Sequence, residues 1–259
     1  LDDYTTDQSR IKLKKGLFAT SPFFHLAIVM VYIRENKRLR KHEDKKKVLL
    51  SGSIGSFNAI EAFGGRFEIT GLENYRNLEG PAIFVGNHIT MLETMVMFHI
   101  LQESISFVFK KSLVKIPVFS PLLLCCDPIS VSRESPGKDL QEVYDQGKER
   151  LSRGQSVIIY PQGGRRAVFD PAGFNSIGIK LALQTGKPVI PVACKTDFWG
   201  NGGFLSFFGK IDPSKTIYFK LGKPVYPEGR GKKEHQEIVN FLTDNLRSWG
   251  VPIKGESTT

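Results

Sequence analysis

The chain has 259 residues, 41% of them hydrophobic, and a formal net charge of +10. That much apolar material can bury a substantial core, most simply in one large domain with a small appendage, and it excludes general disorder. Cys125, Cys126 and Cys194 lack metal-ligand spacing and form no framework of bridges, so they read as core packing in a reducing compartment.

The charge is concentrated near the start. Between Arg10 and Lys47 twelve Lys/Arg face only Glu35, Glu43 and Asp44, and they flank the apolar insert Leu17 to Ile33. Spanning a bilayer takes about 20 predominantly apolar residues. This insert is shorter and is interrupted by Thr20, Ser21, Pro22 and His25. It reads as a helix lying in the interface, with Phe23, Phe24, Leu26 and Ile28 entering the acyl boundary and the basic flanks attracting anionic head groups. A buried core helix and a solvated basic face are the alternatives. Basic and aromatic residues do not interleave and no nucleic-acid motif is present, so no nucleic-acid partner is expected. Without a small-residue cleavage site the segment does not read as a secretory signal. Residues 1–50 are therefore assigned to basic, amphipathic interfacial helices, and residues 51–259 to a second unit.

From Phe67 short apolar runs alternate with longer helical ones. Strands are expected at Arg66 to Thr70, Ala82 to Val85, Ile105 to Phe109, Pro128 to Ser132, Ser156 to Tyr160, Val189 to Cys194 and Ile217 to Leu221. Helices are expected at Thr90 to Gln102, Gly137 to Arg153, Asn175 to Gln184 and Lys233 to Trp249, with Gly154, Gly186 and Gly250 at the C-caps of three of them. Strands separated by helices of this length predict an α/β fold: an αβα layering around a mostly parallel sheet, with ligands beyond the carboxyl ends of the strands. Gly200 to Gly203 mark a flexible excursion whose aromatics, among them Phe198, Trp199, Phe204, Phe207 and Phe208, suit core cover or a membrane contact.

At the end of the second strand stands Asn87-His88-Ile89-Thr90-Met91-Leu92-Glu93. A histidine is a general base when a second group holds its tautomer, and a carboxylate on the other ring nitrogen does so. Were both residues helical they would point about 140° apart, so His88 must lie on the entry turn and Glu93 inside the helix. Thr90-x-x-Glu93 also reads as a capping box, which needs no catalytic partner. After the fifth strand, Tyr160-Pro161-Gln162-Gly163-Gly164-Arg165-Arg166 combines a glycine pair with two guanidiniums, a composition that suits a phosphate. It lacks the nucleotide P-loop spacing, and an ordinary glycine turn with solvated arginines fits equally.

Taken in order, four blocks resemble the PlsC-like glycerolipid acyltransferases. Asn87-His88-x4-Glu93 is similar to that family's Asn-His-x4-Asp block. Phe107-Val108-x-Lys110-Lys111-Ser112-Leu113-x2-Ile116-Pro117-x-Phe119, continuing to Ile129-Ser130-Val131-Ser132-Arg133, resembles the second block. Tyr160 to Arg166 stands where the family has Phe-Pro-Glu-Gly-Thr-Arg-Ser, and Val189-Ile190-Pro191-Val192-Ala193 matches the proline-centred fourth block. The resemblance runs from about Gly71 to Pro224. It implies an αβα acyltransferase core and an N-terminal membrane-docking segment on the cytoplasmic face of a membrane, peripheral or monotopic.

By that resemblance His88 takes the proton of an acceptor hydroxyl attacking the thioester of acyl-CoA or acyl carrier protein, which serve as co-substrates with no cofactor or metal. Glu93 orients His88. Lys110, Arg133, Gly163, Gly164, Arg165 and Arg166 bind substrate, while Asn87, Thr90, Pro161 and Pro191 support the site. The expected acceptor is a lysophospholipid, foremost 1-acyl-glycerol-3-phosphate. Glu93 for Asp, Gln162 for Glu, Gly164 for Thr and Arg166 for Ser depart from the family pattern. They leave two alternatives: a non-catalytic lipid-binding relative, or an enzyme of the same fold acting on an amino- or sugar-lipid.

Overall fold

The computed structural model describes residues 3–7, 21–102, 105–115, 120–132, 134–202 and 209–256. Its strands are β1 (Tyr4–Thr5), β2 (Arg66–Thr70), β3 (Ile83–Gly86), β4 (Ile105–Lys110), β5 (Ile129–Val131), β6 (Ser156–Ile159), β7 (Val189–Lys195) and β8 (Thr216–Leu221). They form one sheet in the order β1-β2-β8-β7-β3-β6-β4-β5. The five strands from β7 to β5 are mutually parallel, β8 runs antiparallel to β7, and β1 closes the far edge antiparallel to β2. The expected mostly parallel sheet is therefore present.

The helices are α1 (Ser21–Arg40), α2 (Lys45–Ala62), α3 (Glu73–Arg76), α4 (Leu92–Leu101), α5 (Ser120–Leu124), α6 (Pro136–Ser152), α7 (Ile177–Thr185) and α8 (Lys232–Ser248). Alternation along the strands sorts side chains to two faces. Phe84, Ile158, Ile190 and Val192 join one core with residues of α1, α2 and α4. Ile83, Val85, Val157, Ile159 and Val189 join another with α6, α7 and α8. Contact on this second side is close: a Cβ added at Gly178 of α7 would lie 2.3 Å from Val85 Cγ2. Gly186, at φ 64°, ends α7 as the C-cap expected of it.

β1, α2 and the short helices α3 and α5 escape the sequence patterns, the last two because four or five residues show no helical period. β1 is only two residues long, too short for any periodicity, and is fixed instead by side chains: Tyr4 and Thr6 hydroxyls both donate to the buried Glu61 carboxylate. α2 contains Ser51, Gly52, Ser53, Gly55 and Ser56, poor helix formers that hide its periodicity. Asp44 caps it by accepting the Lys47 N–H at 2.9 Å, and the helix runs unbroken through residue 50, where the sequence suggests a boundary.

α1 answers to both readings of the apolar insert. Phe24 and Ile28 are buried, Phe24 packing edge-on against Phe63, Phe198 and Trp199. They belong to the core and not to an acyl boundary, because their side of α1 meets α2 and the loop after β7. Phe23, Leu26, Met30 and Ile33, spaced three or four residues apart, form an exposed stripe on another side. Lys37, Lys41 and Lys45 to Lys47 are exposed beyond it. The basic residues Arg10 to Lys15, the start of the insert, and Phe204, Phe207 and Phe208 lie outside the described residues. No helix among the described residues is long and apolar enough to cross a membrane.

Phe24→Ala should therefore destabilise the protein by about 3–5 kcal/mol, the usual loss for an emptied aromatic core site, whereas Leu26→Ala should cost less than about 1 kcal/mol. Chemical denaturation followed by far-ultraviolet circular dichroism checks the contrast; equal effects would contradict this placement of α1.

Candidate active site

Asn87 locks the end of β3 against β7. Its amide donates to the Cys194 carbonyl at 2.7 Å and its Oδ1 accepts the Cys194 N–H at 2.9 Å, all in a buried setting. The next residue leaves the sheet. His88 N–H donates to Gln162 Oε1 at 2.8 Å and its carbonyl accepts the Arg166 N–H at 2.7 Å, so the glycine loop after β6 straps the histidine backbone on both sides. Its ring stacks on Tyr160, with centroids 4.5 Å apart and planes 11° from parallel.

His88 Nδ1 lies 3.1 Å from Glu93 Oε2, and the histidine side chain is 19% exposed while Glu93 is fully buried. Glu93 is surrounded by donors. Its Oε1 accepts the N–H groups of Ile89 at 2.9 Å and Thr90 at 2.8 Å and the hydroxyl of Thr196; Oε2 also receives the Thr90 N–H at 3.1 Å. An ionised carboxylate only accepts, and the amino end of α4 favours its negative charge. Nδ1 therefore donates to Glu93, which leaves the Nε2 lone pair free for proton abstraction.

The capping box takes an altered form. Glu93 reaches back to the Thr90 N–H as expected, but α4 begins at Leu92, Met91 occupies the cap position, and the Thr90 hydroxyl accepts the Leu92 N–H at 3.1 Å. Capping and catalytic readings thus describe one arrangement: the turn that satisfies the helix start also presents Glu93 to His88.

His88 opens onto a cavity of about 380 Å³, within the usual range for small-molecule sites, roughly 300–1,000 Å³. Tyr160, Lys110, Gly164 and Arg165 share its lining beside the strand ends, and its remaining wall is mostly apolar, including Met91, Met95, Phe98, Phe107, Leu113 and Leu122. The sequence-derived site residues are otherwise divided. Lys110 is exposed, Gly163 sits at φ 71°, a conformation that favours glycine, and Arg166 is exposed with Nε donating to the Gln162 carbonyl at 3.3 Å. Pro161 and Pro191 are buried supports, accepting hydrogen bonds from the Asn175 side chain and the Gly222 N–H. Arg133 lies outside the described residues, as do Ile116, Pro117 and Phe119 of the second block.

Thr196 and Asn201, whose amide donates to the Ile89 carbonyl at 2.8 Å, were not legible as site residues. Both come from the segment after β7, more than a hundred positions from His88, and no spacing rule links them to it. Gln162 stands out in the sequence only as a departure, and Tyr160 only as a strand end. Beside the histidine, Tyr160 Oη and Gln162 Nε2 are buried without a hydrogen-bond partner among the described residues. Burial, followed by the nearby Cys194 and Glu93, pushes the Tyr160 hydroxyl well above its usual range; burial and then Glu93 do the same to the Cys194 thiol. Both groups therefore keep their protons at neutral pH.

Residues 66–195 match the acyltransferase family model, and the chain belongs to that family. Within it the chain is PlsC-like. The 1-acyl-sn-glycerol-3-phosphate acyltransferase of Pseudomonas aeruginosa is 31% identical over 176 residues, which make up 68% of this chain but 65% of that protein. The protein of the same name from Borreliella burgdorferi is 28% identical over 185 residues, 71% of this chain and 68% of that one. In fold, the chain is similar to the crystal structure of the 1-acyl-sn-glycerophosphate acyltransferase PlsC from Thermotoga maritima, with a TM-score of 0.63 at 18% identity, covering 92% of this chain and all of that one.

Because Glu93 is the shared acceptor of four groups, Glu93→Ala should lower stability by about 2–4 kcal/mol by leaving buried donors unsatisfied. His88→Ala should cost less, about 1–2 kcal/mol, since Glu93 keeps its three other donors and the ring borders a cavity that water can enter. Urea denaturation of the two variants distinguishes these outcomes, and a neutral Glu93→Ala would contradict the network.

Proposed function

We propose that the protein transfers a fatty acyl group from acyl-CoA or acyl carrier protein to the free hydroxyl of a lysophospholipid, foremost 1-acyl-glycerol-3-phosphate, in phospholipid synthesis. The observation that carries this reading is the His88–Glu93 pair opening on an apolar cavity with Lys110 and Arg165 beside it. An apolar cavity gains about 0.8 kcal/mol for each acyl methylene it buries, and the two cations match an anionic head group.

In the proposed reaction His88 Nε2 removes the acceptor hydroxyl proton as the oxygen attacks the thioester carbonyl. The tetrahedral intermediate expels the donor's thiolate, which takes the proton back from the imidazolium. Glu93 stabilises the charged ring between the two transfers. Backbone N–H groups of Gly163 and Gly164 are the proposed donors to the oxyanion, and Arg133 and Arg166 add to the positive field around the acceptor phosphate. The thioester is already activated, so no cofactor is required.

The exposed stripe Phe23, Leu26, Met30 and Ile33, with lysines beyond it, supports docking of α1 on an anionic membrane surface, proposed as the cytoplasmic face. Tyr32 of the same helix lines the cavity, so docking α1 holds the cavity close to a lipid acceptor in that surface.

His88→Ala should reduce formation of phosphatidic acid from lysophosphatidic acid and palmitoyl-CoA by about 10²–10⁴-fold, measured by product mass spectrometry. Unchanged turnover would remove His88 as the base. Leu26→Asp with Met30→Asp should abolish co-sedimentation with phosphatidylserine-containing vesicles at low salt, with the fold intact by circular dichroism; undiminished binding would exclude this face as the membrane contact.

A further inference from the structure

We infer that Thr196 is a positioning residue of the reaction, fixing the Glu93 carboxylate in the one orientation that leaves Oε2 for His88. This rests on the proposed role of His88 as base. Thr196 follows β7 directly and is fully buried. β3 and β7 lie side by side with Gly86 opposite Val192, Asn87 bonds the Cys194 backbone, and just past both strand ends the Thr90 and Thr196 hydroxyls lie 3.0 Å apart.

The hydrogen-bond directions follow from the partners. Thr90 Oγ1 accepts the Leu92 N–H at 3.1 Å and donates its own proton to Thr196 Oγ1; Thr196 in turn donates to Glu93 Oε1. A hydroxyl that both accepts and donates is polarised along such a chain, and a bond ending on a carboxylate is stronger than one between neutral groups. Oε1 thereby receives three donors, from Ile89, Thr90 and Thr196, whereas Oε2 faces the ring and shares only the longer branch of the Thr90 N–H, at 3.1 Å.

Glutamate has one more rotatable bond than aspartate, and the Ile89 and Thr90 N–H groups approach from only the helix-entry turn. Thr196 comes from a different strand and restrains the carboxylate from the sheet side. Its methyl contributes packing, but the hydroxyl sets the orientation. The role is therefore carried by a single oxygen atom, which valine lacks and serine retains.

Thr196→Val should lower kcat about 10–100-fold with KM within threefold, the scale of one charge-assisted hydrogen bond, and Thr196→Ser should recover to within about threefold of the starting protein. In Glu93→Asp, where the carboxylate is shorter and no longer reaches both partners, Thr196→Val should cost less than in the starting protein, a non-additivity that distant sites do not show. Nitrogen-15 NMR of His88 reads the same point without substrate: the protein should hold the Nδ1–H tautomer, Thr196→Val should mix the two tautomers, and Thr196→Ser should not. Unchanged kcat and unchanged His88 shifts in Thr196→Val would overturn the inference. So would equal losses in the valine and serine variants accompanied by melting, which would reduce Thr196 to a packing residue. If the starting protein fails to turn over lysophosphatidic acid, the substrate reading fails, and the tautomer comparison still decides the role of Thr196.

Discussion

A buried carboxylate is the constraint on which this site depends. Removing Glu93 from water is costly unless every lone pair that matters meets a donor. The fold meets that demand from three directions: the entry turn of α4 supplies two backbone N–H groups, the end of β7 supplies the Thr196 hydroxyl, and His88 supplies its ring. The geometry that stabilises the charge also fixes the histidine. Nothing further is needed to hold the Nδ1–H tautomer.

The surrounding architecture serves that arrangement. Asn87 clamps β3 to β7, so the two strand ends that contribute His88 and Thr196 cannot drift apart. The glycine loop after β6 grips the His88 backbone through Gln162 and Arg166. Beyond Thr196 the same segment continues to Phe198 and Trp199, which pack on Phe24 of α1. A short stretch of chain therefore touches both the buried carboxylate and the helix whose outer stripe is apolar.

Much of this was legible from residue patterns, for identifiable reasons. Arg66 to Thr70 and the other strands are short β-branched or aromatic runs bounded by glycine, proline or charge, and β2 falls on its expected residues. His88 and Glu93 meet because a strand end and a helix start constrain them locally, over five positions. Thr196 belongs to the other category: its proximity to Thr90 exists only once β7 is placed beside β3, and sheet order is not written in spacing. α1 was ambiguous because both its buried and its exposed sides carry apolar residues, so its periodicity does not distinguish core from interface. α2 was obscured by glycine and serine, yet Gly52 borders the cavity where a Cβ would already lie 3.3 Å from Leu122 and from Glu35.

In the proposed reaction this network makes His88 a base that delivers the acceptor hydroxyl directly to the thioester, with no acylated protein between. Intact-protein mass spectrometry during a single turnover, with palmitoyl-CoA limiting and lysophosphatidic acid in excess, tests it most directly. Phosphatidic acid should appear in step with free CoA while the protein mass stays constant. A palmitoylated protein that forms before product and decays into it would contradict direct transfer.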